Sequence, residues 1–439
     1  MSSTLALRRP GIFYGWYIVG VALIAQFVAA GTSSYASGVF LKPMTEDLGW
    51  SRADFSAVQT VSTFVTGALG LFVGVQMDKR GPRLLMLAGG IVSGAALMML
   101  SSVDSLWQFY LIRGVGQTAG NAMLGNLVVN VTVSRWFVAR RGMAVAIASA
   151  GVSMGGVVMA PLASWWVDQY GWQTAWVLMG LLVWALILPS AYVIRRSPED
   201  AGLTPDGMSV EEAELYAASR NRPSAASEEQ WTRAEAVRTR AIWLVILAYG
   251  IANVGLGAML LHLFPFLTDQ GHSRATSAAL FSVMSWSALL SKALWGMLMD
   301  RFHARFLSAT GFAVSGLSIL ALLLVAGHSE LLLVLVLALY GLGIGGTVPL
   351  QETVWASYFG RTHLGRIRSV AMPFSIVFGA GGPLMAGVLY DGTGSYTIAF
   401  LLFAMFSAAG VVLILLARPP LRPASVSATI APAAGEAAG

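Results

Sequence analysis

The sequence predicts an all-α membrane protein, with twelve transmembrane helices in two six-helix repeats. Three observations predict it. Hydrophobic residues make up 56% of the 439 positions and charged residues only 11%, where a soluble domain carries about 25% charged residues. The apolar residues gather in stretches that, at about 1.5 Å per residue, are long enough to cross a hydrocarbon core of about 30 Å. Short motifs recur on either side of one long polar segment, as they do when a bundle has been duplicated.

Composition also narrows the function. There is no cysteine, which removes disulfides, thiolate metal sites and cysteine nucleophiles together. None of the five histidines is paired with another at metal-ligand spacing, so neither metal nor cofactor is expected. The net charge of +6 sits in segments between the apolar stretches rather than in one patch, which argues for membrane topology and against a nucleic-acid partner. No Ser/His/Asp set and no phosphate-binding glycine loop stands out, so an enzyme is not expected.

Taken in order, Arg8, Arg9 and Pro10 precede an apolar stretch from Phe13 to Phe40, too long for the core of a signal peptide and read as a retained first helix. Eleven further spans are expected at 54–77, 83–101, 106–133, 142–167, 173–194, 241–268, 275–299, 306–326, 331–357, 367–390 and 396–417. With the amino terminus inside, 22 of the 27 Lys and Arg residues fall in cytosolic segments, and shifting the register by one span would invert that asymmetry. Both termini are therefore expected to be cytosolic, in a multi-pass protein of the plasma membrane, the inner membrane if bacterial. The domain boundaries follow as a first six-helix bundle over 1–194, a cytosolic linker over 195–240, a second bundle over 241–418 and a disordered tail over 419–439. Within the linker, Val210 to Ser219 reads either as a surface amphipathic helix or as a solvated tether.

The repeat is visible across that linker. Positions 74–83, GVQMDKRGPR, align without a gap to positions 296–305, GMLMDRFHAR. Gly, Met, Asp and the closing Arg stay in register. At the same offset, to within one position, Pro161, Asp168 and Gly171 are echoed by Pro383, Asp391 and Gly394. Gly74, Asp78, Arg83, Asp300 and Arg301 are therefore read as gate hardware, with the two aspartates bridging the halves in one state and releasing them in the other.

Polar residues inside the spans are the candidate binding groups. Lys292 lies well within the eighth span, where an ionisable group costs at least about 2.5 kcal/mol by insertion scales and so needs a task or a route to water. It either snorkels toward the cytosol or waits in a central cavity for an anion, with Ser285 and Ala288 leaving room on its helical face. Arg113, Gln117 and Asn121, four residues apart, form one polar stripe on the fourth span. Arg113 either bonds neighbouring carbonyls or serves proton coupling. The seventh span supplies Asn253 and His262, the latter read as a proton relay, a part of the outer gate or a satisfied interfacial side chain. The tenth supplies Tyr340 and Glu352, an acid that either carries a proton or pairs with an arginine on the cytosolic side.

The loop GVQMDKRGPR, Arg113 with Gly116, and YGWQTAW at 170–176 resemble the signatures of the major facilitator superfamily, over the chain from Tyr14 to about Arg418. Within it, RWFVARRGMAVAIASAG at 135–151 and FYGWYIV at 13–19 are similar to the monocarboxylate and oxalate/formate porters. The resemblance implies a rocking twelve-helix carrier. In proton-linked members the eighth helix bears an Asp and, four residues on, an Arg that holds the substrate carboxylate. The matching positions here are Ala288 and Lys292, and the first-helix lysine of that group is matched by Tyr35. The expected function is secondary transport of small monocarboxylates of the lactate or pyruvate kind, with a proton, by a monomer in the lipid bilayer. Lys292, Asn121, Gln117, Asn253, Tyr340 and Tyr35 are the expected substrate contacts, and Glu352, His262 and Arg113 the proton-coupling candidates. An anion exchanger of the oxalate/formate type and a proton-coupled exporter are the alternatives.

Overall fold

The computed structural model describes residues 13–137, 140–207, 231–299, 301–327, 329–360 and 363–420. The amphipathic segment 210–219, Asp300 and the tail from 421 on lie outside the described residues, as does the side chain of Asp78.

Among the described residues, nine stretches are long and apolar enough to cross a membrane. One of them, Gly142–Val193, is two helices: Gly171 has φ 78° and ψ 165° and folds the chain back on itself. That conformation favours glycine. Among the described residues the twelve long helices are α1 (Tyr14–Leu48), α2 (Arg52–Arg80), α3 (Pro82–Met99), α4 (106–136), α5 and α6 (141–170 and 172–193), α7 (Arg240–Asp269), α8 (Arg274–Met299), α9 (Ala304–Val325), α10 (Glu330–Phe359), α11 (Leu364–Thr393) and α12 (Thr397–Leu416). Twelve crossings return the chain to the face from which it started, here called the termini face; the opposite one is the far face.

The two helices that miss the apolar threshold are α2 and α4, for a physical reason. Gln59, Ser62, Thr63 and Thr66 of α2 and Arg113, Gln117, Thr118 and Asn121 of α4 line an internal cavity, so their polar side chains escape lipid. A capping box of Ser51 and Asp54 starts α2, and the left-handed Gly49 (φ 68°) ends α1, which runs on to Leu48, past the expected Phe40.

α4 departs furthest from the uniform helix expected over 106–133. Tyr110–Gln117 is π-helical, and Gly125 (φ −76°, ψ −169°) breaks the helix again before Asn126–Trp136. A second π-helical turn, Gly31–Tyr35, interrupts α1. Such turns widen the helix and re-aim its side chains.

Small residues set how closely the helices approach, as expected where lipid supplies no hydrophobic drive between helices. A Cβ at Gly151 or Gly155 would overlap the α1 backbone, and one at Gly156 would overlap Tyr35 and Ser285 of α8. Within the small-residue run 142–156, Gly151 and Gly155 thus pack on the first half, whereas Ser153 and Gly156 meet α8 of the second. Gly120 against Ser93, and Gly180 against Gly94, join α4 and α6 to α3 in the same way.

Candidate functional site

The two π turns meet in the first half. Arg113, only 3% exposed, donates to the Ser33 carbonyl at 3.0 Å, to the Ser37 hydroxyl and to the Gln117 side-chain carbonyl. Its guanidinium carbon lies 5.3 Å from the Trp176 ring centre. Gln117 in turn donates to Thr32, carbonyl and hydroxyl, at 3.4 Å. All of these partners are neutral, and the buried Nε of Arg113 has none. Among the described residues no carboxylate reaches it.

Arg113 borders a cavity of about 680 Å³ lined by α1, α2, α4, α5 and α11, in which it is the one charged lining residue among those described. Gln117 and Asn121 join it there, Asn121 accepting from Ser93 at 2.9 Å and donating to the Ala29 carbonyl at 3.4 Å. The cavity reaches toward the termini face as far as Val73 and Gly125, and Ser375 and Ile376 close it from the second half.

Lys292 stands just behind that wall. Its ammonium donates to Ser153 of α5 at 2.9 Å, next to the lining residue Val152. Among the described residues it has no acidic partner. Tyr35 packs edge-on to Phe281 of α8 with 6.0 Å between ring centres, at the same α1–α5–α8 junction. The remaining expected contacts stand apart. Asn253 and Tyr340 share a small void of about 20 Å³ inside the second half, and the Tyr340 hydroxyl is buried without a partner.

Glu352 is not deep in the protein. Its side chain is 41% exposed and accepts from Arg368 of α11 at 2.7 Å, so of its two readings the structure favours the pair with an arginine. Arg83 and Arg301 are exposed, and the Arg83 guanidinium carbon is 5.1 Å from the Tyr192 ring centre.

His262 is fully buried beyond the cavity toward the far face, among links between the halves. Its Nε2 lies 2.9 Å from the Pro383 carbonyl and 3.1 Å from the Ser56 hydroxyl, and its Nδ1 lies 3.0 Å from the Tyr396 hydroxyl. Beyond it, Arg52 pairs with Asp269 at 2.7 Å and donates to Tyr396 at 2.6 Å, with its guanidinium carbon 3.7 Å from the Tyr390 ring centre. Asp391 accepts from the amide groups of Arg52 and Ala53 at 3.0 and 2.7 Å, at the start of α2, where the helix dipole favours a carboxylate. On the other side of the pseudo-twofold, Arg274 at the start of α8 pairs with Asp168 of α5 at 2.5 Å. Arg52 and Arg274 are separated by the same offset as the two signature loops, so the repeat that relates Asp168 to Asp391 also relates their partners. Thr60, donating to the Ala380 carbonyl at 2.9 Å, closes the layer beneath.

Sequence reasoning missed the α2 face and the far-face arginines. The spacing of Gln59, Ser62, Thr63 and Thr66 (i, i+3, i+4, i+7) was the available signal for the first, and the repeat offset was the signal for the second.

A polar cavity between two six-helix halves, sealed at one end by cross-half bonds, is the anatomy of a membrane transporter rather than an enzyme. A family model for the Major Facilitator Superfamily matches residues 22–284 and 258–436, and the chain belongs to that superfamily. It is similar to monocarboxylate transporter 13 of Rattus norvegicus, with 27% identity over 90% of this chain and 87% of that one. The oxalate:formate antiporter of Oxalobacter formigenes is 23% identical over 92% and 93% of the two chains. Among solved structures, a bacterial homolog of the human lysosomal transporter Spinster, inward-facing and occupied, superposes with a TM-score of 0.68 at 16% identity, covering 93% of this chain and 96% of that one. That likeness supports the fold.

Proposed function

We propose that this transporter carries small monocarboxylates together with a proton across the plasma membrane, a bacterial inner membrane, with its termini face in the cytosol. The bundles 1–194 and 241–418 rock about the linker 195–240. The observation that carries the reading is a cavity bordered by the cation Arg113, backed by a second cation, Lys292, with both bonded only to neutral groups. Buried cations without acidic partners favour an anionic visitor. The similarity to a monocarboxylate transporter and to an oxalate:formate antiporter supports the same class. In this arrangement Arg113 offers a planar, forked donor set to a carboxylate, Gln117 and Asn121 orient it, and Lys292 adds a point charge after a short movement of Ser153.

The presence of two unpaired cations favours a second reading, exchange of a dicarboxylate. One experiment separates the two. Purified protein in liposomes is offered a panel of short mono- and dicarboxylates, with and without an imposed pH gradient and an internal counter-substrate. Proton symport predicts uptake of monocarboxylates that rises as external pH falls and needs nothing inside. Uptake that is indifferent to pH and requires an internal acid replaces symport with exchange, and a panel in which nothing moves removes both.

A further inference from the structure

The hydrogen bonds around His262 fix its protonation. A carbonyl only accepts, so the 2.9 Å contact with Pro383 places a proton on Nε2. The Ser56 hydroxyl donates to the Arg52 carbonyl at 2.6 Å, so toward the imidazole it too accepts. Arg52 donates to the Tyr396 oxygen at 2.6 Å, which leaves the Tyr396 proton for Nδ1, 3.0 Å away. Every hydrogen-bonding atom of the neutral ring is therefore used, and the cluster joins parts that separate if the far face opens: Ser56 and Arg52 belong to the first half, and His262, Pro383 and Tyr396 to the second.

A second ring proton has no place in this arrangement. Carried on Nδ1, it would face the oxygen that already serves Arg52, and the Tyr396 hydroxyl would have to turn its own proton away. Two cations would then share one hydroxyl oxygen. The charged groups that face the cluster are Arg52 from α2, Lys42 from α1, Asp269 from α7 and Asp391 from α11. The carboxylates are already engaged: Asp269 by Arg52 at 2.7 Å and Lys42 at 3.1 Å, and Asp391 by two backbone amides. Tyr390 of α11 lies under the Arg52 guanidinium. None is left to neutralise an imidazolium.

We infer that His262 is a proton-binding site that governs the far gate: the closed gate requires the neutral ring, and a proton taken up from the far side holds the gate open. Linkage gives the sign. The state with room for the proton is the open one, so acid on the far face shifts the population toward it. The proton must leave His262 before the gate shuts, which makes this histidine a sensor that sets access rather than the residue that carries a proton across. The inference rests on alternating access in the proposed function, but not on which solute is carried.

The test uses substrate-free protein. The chain lacks cysteine, so Asp104→Cys and Glu330→Cys, exposed at the far-face ends of the two halves, can carry spin labels whose separation is read by double electron–electron resonance. Between about pH 7.5 and about pH 5.5 the long-distance population should rise, by up to about tenfold per pH unit for one linked proton. His262→Gln keeps a donor and an acceptor but cannot ionise, and it should flatten that response while the far-face carboxylates remain. Tyr396→Phe deletes the bond that the neutral ring accepts and one acceptor of Arg52, which weakens the closed gate and should move the midpoint of opening to higher pH; it also serves if His262→Gln does not fold. A pH response that survives His262→Gln, an unmoved midpoint in Tyr396→Phe, or a label distance that never changes with pH overturns the inference. The substrate reading is untouched by those outcomes, because no acid other than the proton is present.

Discussion

Arg52 and Arg113 are both buried arginines of the first half, and they are satisfied in opposite ways. Arg52 at the far gate has a carboxylate at 2.7 Å, a phenol at 2.6 Å and an aromatic face at 3.7 Å, and all three belong to the other half. Arg113 at the cavity has a carbonyl, a hydroxyl and an amide oxygen, all from its own half, and an Nε with no partner. A buried charge with its counter-ion built in works as a clasp between the bodies that supply the two ions. A buried charge held only by dipoles is kept in place but not neutralised, and it retains its attraction for an anion that arrives. Location alone would not have separated the two roles.

The largest effect expected from this contrast is at Arg113. Arg113→Gln removes the charge while keeping a donor for Ser33 and Ser37, so the helix pair should persist. Losing two charge-assisted bonds to a carboxylate, at about 1.5 to 3 kcal/mol each, should lower uptake by about 100-fold or more. Arg113→Lys should recover only part of it, because a point charge does not reproduce the fork. Proteoliposome uptake checks this, and near-normal transport by Arg113→Gln would erase the distinction drawn between the two arginines.

Much of this was legible in advance. The spacing of Arg113, Gln117 and Asn121 marked a polar stripe, the apolar runs marked the helices, and the recurrence of one loop motif at a fixed offset marked the duplication. The facing of that stripe was not legible, because the π turns at Gly31–Tyr35 and Tyr110–Gln117 change the angle per residue and no residue type announces them. The neutral partner of Lys292 was also hidden: Ser153 is one serine in a run of small residues, and only packing selects it. The far gate depends on ions from opposite halves of the chain, Arg52 with Asp269, which a reading by periodicity does not join. Asp168 and Asp391 stand out as repeats, and Arg52 and Arg274 share that offset, but an offset does not pair either arginine with its acid.

The next effect separates the two clasps. Arg52→Gln leaves Asp269 with Lys42 as its one cation, whereas Arg274→Gln frees a partner that already sees water: side-chain exposures are 10% and 19% for Arg52 and Asp269 against 25% and 36% for Arg274 and Asp168. Breaking the more buried pair strands the costlier charge. Arg52→Gln should therefore shift the population toward the far-open state by about tenfold or more, and Arg274→Gln by a few-fold at most, as read by the same far-face label distances. Equal shifts would mean that the pseudo-twofold, and not burial, sets the strength of the gate.

Lys292→Ala should come next. Its ammonium reaches the cavity only past Ser153, so its share of carboxylate binding is that of one longer-range charge. A roughly tenfold rise in KM with little change in maximal rate is expected. Lys292→Arg should restore affinity if charge is what matters.

The smallest effect is expected at Glu352, although an acid within an apolar span attracts attention as a proton carrier. Its side chain is 41% exposed, that of Arg368 is 44% exposed, and the two meet at 2.7 Å. An ion pair in contact with solvent contributes at most about 1 kcal/mol and costs little to neutralise. Glu352→Gln should therefore leave uptake within about twofold and its pH dependence unmoved. If the pH dependence instead disappears while uptake down a substrate gradient persists, proton coupling resides on this half-exposed acid, and the contrast between paired and unpaired cations would describe binding but not coupling.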